Sequence, residues 1–305
     1  MTARLAPALA LALGFLSAAR AQDPAQLKPL LEDKARSIVV VKLVLKVELQ
    51  FMGQTQDQEQ KQNVPGVLVN KSGLVMITNS AVSASRMKEM FGGEDEGEHK
   101  FEVNVTPLSI KVVIEGEEKE HDAFLAASDA RLDLAFVQIE GLGERARAPV
   151  EFGEDAPIEV GQVVVGVGRL GEGFDYAPRL ELGRVSGRIK KPRPAWLVSG
   201  GGEAVGLPVF DLSGKAVGAF TLLSSGVREE GGGGLMGGGG SGGGFQVALV
   251  PASAVKAVIE QAQKRAAEVA EERKKSGATG PGELPGGGEK KPEGEGPTGG
   301  EKKTE

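Results

Sequence analysis

Few side chains in this sequence could serve as nucleophiles or proton acceptors. The chain has 0 cysteines and 2 histidines, so only His99 and His121 supply imidazole. A serine hydroxyl becomes a useful nucleophile only beside a base that a third group holds in place. Ser199, in the Gly-rich segment Val198–Gly202, and Asp133, at the start of a predicted strand, are the other candidates for such a set.

The surroundings of the histidines do not favour catalysis. His99 lies in an acidic loop beside Glu96 and Glu98, and His121 lies on a predicted strand, which are both typical of surface histidines. Ser199 is the best candidate for a displaced nucleophile, but the sequence places no base beside it. We therefore expect no activity from Ser199.

Metal and phosphate sites are also disfavoured by spacing. The acidic runs Glu94–Glu98 and Glu115–Glu120 lack the ligand spacing of a calcium loop and are predicted to be solvated turns. The tract Gly231–Gly244 lacks the Lys-Ser/Thr pair of a phosphate-binding loop and is predicted to be a flexible linker. We expect neither a metal nor a cofactor.

The N-terminal residues Met1–Ala21 have the layout of a secretory signal peptide. Arg4 precedes an apolar run, Leu5–Leu16, and small residues follow, so cleavage is predicted before Gln22. The apolar run is shorter than the roughly 20 residues that span a bilayer. An uncleaved anchor or a buried helix is the alternative. The prediction is a secreted or periplasmic protein with no transmembrane segment after cleavage.

The charge balance bears on the kind of partner. The net charge is -6, and loss of Arg4 and Arg20 with the signal peptide would lower it to about -8. An acidic chain is poorly suited to bind nucleic acid or anionic lipid. The absence of cysteine in a chain predicted to be exported requires a core that is stable without disulfides.

Short apolar segments with turn residues between them predict an all-β protein, a barrel or a sandwich, split near Gly141–Val150 into two similar halves. The polar stretch Gln54–Asn63 is predicted to be a loop or an exposed hairpin tip. The predicted strands are Ser37–Phe51, Gly66–Val69, Leu74–Thr78, Phe101–Val105, Ser109–Ile114, His121–Ala127, Leu134–Ile139, Val160–Val167, Arg179–Arg188, Val205–Asp211, Ala216–Leu223 and Phe245–Val250.

Helices are predicted at the two ends of this β region. A short one covers Ala25–Ala35, and a second begins at Pro251 with apolar residues Val255, Val258, Ile259 and Ala262 at helical spacing. Beyond Gln263 the second helix is mostly Ala, Glu, Lys and Arg, and we expect it to extend into solvent. The predicted divisions are signal peptide 1–21, lead-in 22–36, barrels 37–145 and 146–250, helix 251–275 and a disordered tail 276–305.

Three segments in order resemble the trypsin-like serine protease superfamily, in its bacterial heat-stress, periplasmic branch. They are Gly66–Val82, similar to a hairpin that leads into Thr-Asn-x-His-Val; Ser128–Ile139, similar to an Asp-Leu-Ala strand; and Glu203–Gly218, similar to Gly-Asn-Ser-Gly-Gly-Pro and the strands after it. Gly161–Gly168, Leu182–Gly187 and Phe245–Ala262 extend the resemblance. It implies two six-stranded antiparallel β-barrels with a C-terminal helix.

The resemblance also implies where the catalytic triad would lie. Counting from Thr78 and Asn79 puts the histidine position on Ala81, and counting back from Pro208 puts the serine position on Val205. Asp133 is the only matched triad position. Ala81 has no proton acceptor and Val205 has no nucleophilic atom, so both roles are empty.

The oxyanion hole and the specificity pocket are affected as well. In the resembling family the amides of the serine and of the glycine two positions earlier bind the oxyanion, and here those positions are Val205 and Glu203. The loop before the closing strand, which helps to build the specificity pocket, is replaced by the glycine tract. No second peptide-binding domain is expected after the barrels.

These departures lead to a non-catalytic prediction. We expect Asp133 to hydrogen-bond local amides or hydroxyls such as those of Thr78 or Ser80. We expect a pseudoprotease that binds a protein or peptide or serves as a scaffold, with no prediction of oligomeric state. The alternatives are an active serine endopeptidase of the same family and a structural envelope protein tethered by its tail.

Overall fold

The computed structural model describes residues 24–51, 54–84, 101–117, 119–142, 148–200, 204–224 and 245–276. The predicted signal peptide, His99, Glu203, the glycine tract and the predicted tail beyond Ser276 lie outside these residues. The elements are α1 (Pro24–Lys34), β1 (Ile38–Phe51), β2 (Gln54–Leu68), β3 (Leu74–Thr78), β4 (Phe101–Val113), β5 (His121–Asp129), β6 (Leu134–Ile139), β7 (Val163–Arg169), β8 (Pro178–Ile189), β9 (Ala195–Ser199), β10 (Pro208–Phe210), β11 (Ala216–Ser224), β12 (Phe245–Pro251) and α2 (Ala252–Ser276).

The strands form two closed antiparallel barrels of six strands each. The first has the order β1-β2-β3-β6-β5-β4, and the second has the order β10-β11-β12-β9-β8-β7. This confirms the predicted fold class and excludes the sandwich alternative. Within the described residues, no helix is long and apolar enough to cross a membrane.

Strand alternation in the first barrel builds two separate cores. On β3, Val75 and Ile77 point into the barrel, where they pack with Ala135 of β6. Met76 of β3 and Phe136 of β6 point outward into a second core, which fills the other barrel and the junction between the two. Neighbouring residues of a strand face opposite sides of a sheet, so the short strands β3 and β6 each place side chains in both cores.

The first long hairpin extends well beyond the barrel wall. β1 and β2 pair without a bulge from Ile38 opposite Val67 to Phe51 opposite Gln54. Of the two alternatives for Gln54–Asn63, the exposed hairpin is therefore right and the loop is wrong. The stretch is ambiguous in sequence because its side chains are almost all polar and give no apolar alternation.

Two predicted strand boundaries needed correction because of single backbone features. Phe101–Val105 and Ser109–Ile114 form one strand, β4, with a bulge at Leu108, which lets Pro107 lie in the ladder without its missing N–H breaking the strand. The strand predicted for Val205–Asp211 begins only at Pro208, because Gly206 turns the chain at φ +86°.

One strand of the second barrel was missed in the sequence. β9 covers only Ala195–Ser199 and follows a segment with prolines at 192 and 194, which is typical of a loop. It pairs with β8 and, through Trp196 opposite Leu249, with β12. Without this strand the second barrel would not close.

The C-terminal helix packs against both barrels. Its predicted apolar residues are buried, at Val255, Val258, Ile259 and Ala262. The expectation that it extends into solvent beyond Gln263 is wrong, since Ala266 and Val269 are buried as well. Farther along, the Arg273 guanidinium lies 4.7 Å from the centre of the Phe124 ring on β5 and 2.9 Å from a carboxylate oxygen of Glu140.

This error has a physical source. Small alanines among charged residues suggest a solvated helix surface, although they also allow close packing on a barrel wall. From the sequence, Arg273 would be expected to lie in solvent. In the structure its guanidinium lies over the Phe124 ring, and the apolar part of its side chain can cover neighbouring apolar surface.

Arg169, at the end of β7, joins the second barrel to the first. Its Nε donates to the Ile38 carbonyl at 2.8 Å and its Nη2 to the Ala35 carbonyl at 2.7 Å. Further bonds reach the Tyr176 carbonyl at 3.0 Å and the Glu115 carboxylate. Its side chain is only 3% exposed, so a buried cation is shared among three backbone carbonyls and one carboxylate.

Candidate functional site

Asp133 is held in a network of bonds at the rim of the first barrel. Its Oδ2 accepts from the Thr78 hydroxyl at 2.7 Å and from the Ser80 hydroxyl at 3.3 Å, and its Oδ1 accepts from the Ser80 amide at 2.8 Å. The Asp133 carbonyl also accepts from the Asn79 amide at 2.9 Å. These are the partners expected from the sequence, and they satisfy a side chain in a residue that is only 7% exposed.

The backbone of Asp133 adopts a left-handed conformation, with φ +52°. Asp tolerates this region better than most residues because its short polar side chain bonds nearby backbone groups. The turn places the carboxylate opposite the end of β3 before the chain enters β6. Asp133 therefore fixes the segment Thr78–Ala81, which a catalytic histidine would occupy.

Ala81 ends a short 3-10 turn, Asn79–Ala81, directly after β3. Its methyl group is buried in the core of the first barrel together with Val82. Gln62 of β2 donates to the Ala81 carbonyl at 2.6 Å. Ala81 is thus a packed, hydrogen-bonded part of the barrel.

Val205 lies in the turn that approaches this region from the second barrel. A Cβ built on the adjacent Gly206 would lie 2.5 Å from the Thr78 backbone nitrogen, so the two segments are in backbone contact. The Gly206 amide donates to the Phe220 carbonyl at 2.7 Å, which holds the turn against β11. The structure therefore brings together the segments that carry Ala81, Asp133 and Val205.

The other catalytic candidates lie away from this junction or outside the described residues. His121 begins β5, a strand of 9 residues, and Asp133 follows the other end of this strand. The strand itself is about 26 Å long, at roughly 3.3 Å per residue. The His121 Nε2 lies 2.7 Å from a carboxylate oxygen of Glu117. Ser199 is exposed at the end of β9, opposite Arg184.

The described histidine does not lie with the segments that carry Ala81, Asp133 and Val205. Among the described residues His121 is the only histidine, and it bonds a carboxylate at the opposite end of its strand. The Asp133 carboxylate accepts hydrogen bonds from the Thr78 and Ser80 hydroxyls. Among the described residues, no histidine lies at this junction to act as a general base.

Three carboxylates of the acidic run Glu115–Glu120, which was predicted to be a solvated turn, have charged or imidazole partners in the structure. Glu115 bonds Arg169, Glu117 bonds His121, and Glu120 lies 2.9 Å from the Lys42 ammonium. This last bond raises the pKa of Lys42 and lowers the pKa of Glu120 relative to their ordinary values. In the described part of the chain, no three side chains of the ligand types His, Cys, Asp or Glu form a group that could hold a metal ion.

A cavity of about 840 Å³ lies between α2 and the β5–β6 side of the first barrel. Its apolar lining includes Phe124, Ile139 and Ala266, and Arg273 and Lys274 line its C-terminal end. No sequence pattern predicted this groove, because it depends on the helix turning back over the first barrel. It lies apart from the triad positions, none of which line it.

Sequence reasoning found Asp133, Thr78 and Ser80, which lie within or next to recognisable motifs. Gln62 and Arg169 were missed, because their partners Ala81, Ala35 and Ile38 lie 19 residues away or more in the chain. No local signal marks either residue, since a glutamine or an arginine is ordinary on a strand.

The comparisons with known proteins agree with this geometry. A model of the trypsin-like peptidase domain matches residues 65–218, just over half of the chain. The matched range includes Ala81, Asp133 and Val205. A search of curated proteins found no match. Two closed six-stranded barrels, with the triad-bearing segments at their junction, are what this domain requires, and the chain belongs to the trypsin-like peptidase domain family.

Proposed function

We propose that this protein is an exported, non-catalytic member of the family that binds a protein or peptide. The proposal is supported by the motif spacing, which assigns Ala81 and Val205 to the histidine and serine positions, and by the structure, in which the segments that carry these two residues lie together. Removal of both the base and the nucleophile leaves no covalent route to peptide cleavage. Assignment to the heat-stress, periplasmic branch is part of the same proposal.

The hydrogen bonding of Asp133 supports this proposal. The carboxylate bonds Thr78 and Ser80, so Asp133 is hydrogen-bonded without needing a catalytic partner. The bonds stabilise the turn that carries Ala81. In this proposal Asp133 is a structural residue, because its bonds join the end of β3 to the turn before β6.

The groove between α2 and the first barrel is the proposed binding site. Its occupant is an extended peptide segment with an apolar side chain for the Phe124 and Ile139 floor and a carboxylate for the end lined by Lys274. Arg273 already pairs with Glu140, so Lys274 supplies the net positive charge of that end. An apolar floor with a few charged groups at one end is typical of ligand grooves.

Catalysis is tested with casein and a fluorophosphonate probe, with trypsin as the positive control. We expect no cleavage and no labelling of the purified protein. Labelling that Ser199→Ala abolishes would establish a displaced nucleophile and favour the alternative function, an active serine endopeptidase.

Binding is tested by fluorescence anisotropy with labelled casein fragments. We expect saturable binding that Ala267→Glu weakens at least about tenfold, because Ala267 lines the groove on an exposed helix face and the substitution fills the groove with a negative charge. Gln261→Glu, exposed on α2 outside the groove, is the matched control and should bind as the unmodified protein does. Equal loss in both variants, or no binding at all, would overturn the binding role.

Export is tested by expression with residues 1–21 in place and by N-terminal analysis of the exported protein. We expect a mature chain that begins at Gln22. Retention of Met1 on a protein that stays inside the cell would contradict the proposed secreted or periplasmic location.

A further inference from the structure

The outer edge of β2 is exposed along the projecting hairpin. Residues 54–61 are all exposed, and within the described chain β2 pairs with β3 only at Val67 and Leu68. One side of β2 is fully paired with β1, so the backbone groups on the other side of Gln54–Asn63 have no strand partner among the described residues. An edge of this length is a template for another strand.

This edge lacks most of the features that keep natural sheet edges from pairing. Residues 54–64 contain no proline, and the β1–β2 register has no bulge. Lys61 is the single lysine of the segment. Prolines, bulges and repeated lysines are the usual protection, so the edge is suited to association.

The side chains of the edge alternate by type. One face carries a row of glutamines, and the other face carries mostly charged residues. The glutamines are Gln54, Gln56, Gln58, Gln60 and Gln62, and the opposite face carries Thr55, Asp57, Glu59, Lys61 and Asn63.

We propose that the partner of this edge is a second copy of the same chain, with the two β2 strands antiparallel about a twofold axis at Gln60. In this register Glu59 lies opposite the partner subunit's Lys61, and Lys61 lies opposite the partner subunit's Glu59. Gln58 lies opposite the partner subunit's Gln62, and the two Gln60 side chains meet at the axis. The edge is therefore complementary to itself, as a symmetric interface requires.

Charge selects this register over its neighbours. An axis at Glu59 or at Lys61 places identical charges directly opposite each other, and an axis at Gln58 places Asp57 opposite the partner subunit's Glu59. Like charges in opposed positions destabilise a sheet, whereas opposite charges stabilise it. A shift by one residue would pair the glutamine row with the charged row. The register at Gln60 combines two ion pairs with a continuous row of amide side chains, which hydrogen-bond well when stacked across strands, and it opposes no like charges.

The dimer is expected to be weak. In this register residues 57–63 of the two edges lie opposite each other, and a pair of such short edges buries less surface than the roughly 1,200 Å² at the lower end of standard interfaces, so association should be seen only at micromolar or higher concentration. The measurement is sedimentation velocity over about 1 to 300 µM, a range chosen for interfaces of this size. A chain that stays monomeric over this range would overturn the proposal.

Charge reversal identifies the interface. Glu59→Lys places lysine opposite lysine twice, and Lys61→Glu places glutamate opposite glutamate twice, so each should weaken association at least about tenfold. The exposed helix variant Glu260→Lys is the matched control and should dimerise normally. Loss of association in Glu260→Lys as well would overturn the assignment to β2.

Two rescue experiments separate this pairing from a general effect of charge. The double variant Glu59→Lys/Lys61→Glu regains both ion pairs and should dimerise within about threefold of the original, since the opposed charges are only exchanged. An equimolar mixture of the two single variants should form a heterodimer, because the two lysines of the Glu59→Lys chain then meet the two glutamates of the Lys61→Glu chain. Failure of both rescues, with normal circular dichroism and thermal melting, would overturn the register.

Discussion

Thr78 donates its hydroxyl hydrogen to Asp133 Oδ2 across 2.7 Å, and this bond ties the end of β3 to the turn before β6. The bond joins residues 55 positions apart in the chain and lies where the second barrel contacts the first. The bond therefore joins two segments of the first barrel at the barrel junction, and we expect it to stabilise the folded protein.

Two substitutions of Asp133 should distinguish the contribution of its hydrogen bonds and backbone conformation from the contribution of its negative charge. Asp133→Asn keeps an acceptor for the Ser80 amide, can donate to the Thr78 hydroxyl and tolerates φ +52°, so we expect a loss of less than about 1 kcal/mol. Asp133→Ala leaves the Ser80 amide unpaired and strains the backbone, so we expect a loss of about 2 to 3 kcal/mol. Chemical denaturation measures both. A loss above about 3 kcal/mol for Asp133→Asn would mean that the negative charge itself is needed.

Two glycines with nearly equal backbone angles offer a test of the barrel junction. Gly206 has φ +86° and lies against the Thr78 backbone, whereas Gly214 has φ +84° and lies near only the flexible end of Lys34. Gly214→Ala should cost about 1 kcal/mol from backbone strain. Gly206→Ala should cost at least about 2 kcal/mol more, because its Cβ cannot be accommodated beside Thr78 N without moving backbone. Equal unfolding free energies for the two variants would contradict the close backbone contact.

The positive charge of Arg169, which is buried at the barrel junction, can be removed by a substitution that keeps most of the apolar part of the side chain. Arg169→Met leaves the carbonyls of Ala35, Ile38 and Tyr176 without their donor, and we expect a loss of about 3 kcal/mol in the free energy of unfolding. Arg131→Met is the control, because that side chain is 78% exposed and should cost less than about 0.5 kcal/mol. Similar losses for both variants would show that Arg169 is not a junction residue.

The ion pair of Lys42 and Glu120 gives a prediction for pH. The bond to Lys42 lowers the pKa of Glu120 in the folded protein, so its stabilisation is fully present above the ordinary glutamate pKa and is lost as the pH falls through the lowered value. Glu120→Gln should therefore cost up to about 1 kcal/mol at pH 7, a small value because the Glu120 side chain is 37% exposed. The difference from the unmodified protein should shrink steadily as the pH falls toward about 3, below the ordinary glutamate pKa.

The measurement is urea denaturation at several pH values between about 3 and 7, which brackets the ordinary glutamate pKa. Glu260→Gln serves as the control, since that carboxylate lies 4.0 Å from Lys256 on the exposed surface of α2. A Glu120→Gln difference that stays constant across this range would refute a contribution from the charged pair.

Barrel strands with buried, alternating apolar residues could be predicted from the sequence. The predicted boundaries of β3 and β6 are confirmed, because Leu74–Thr78 and Leu134–Ile139 are apolar and bounded by turn residues. The hydrogen-bond partners of Asp133 were also predictable, since a carboxylate near the hydroxyls of a resembling motif must find donors. The motif spacing in the sequence also identified the three segments that carry Ala81, Asp133 and Val205, and these segments lie together in the structure.

The features that were missed depend on contacts between distant parts of the chain. β9 is short and follows prolines, so only its partners β8 and β12 make it a strand. The polar stretch Gln54–Asn63 forms a strand because β1 offers a complete ladder, not because of its own side chains. Arg169 and Gln62 bond to backbone carbonyls, which carry no sequence signature.

The position of α2 in the chain has a consequence for how the molecule is assembled. Residues 252–276 are synthesised after every described strand of both barrels. Ala266, Val269 and Arg273 of this helix nevertheless complete the outer wall of the first barrel. A nascent chain that ends at Pro251 would therefore contain all twelve strands of the described structure and leave Phe124 uncovered. The last segment to be synthesised closes a surface that the first half of the chain has already formed.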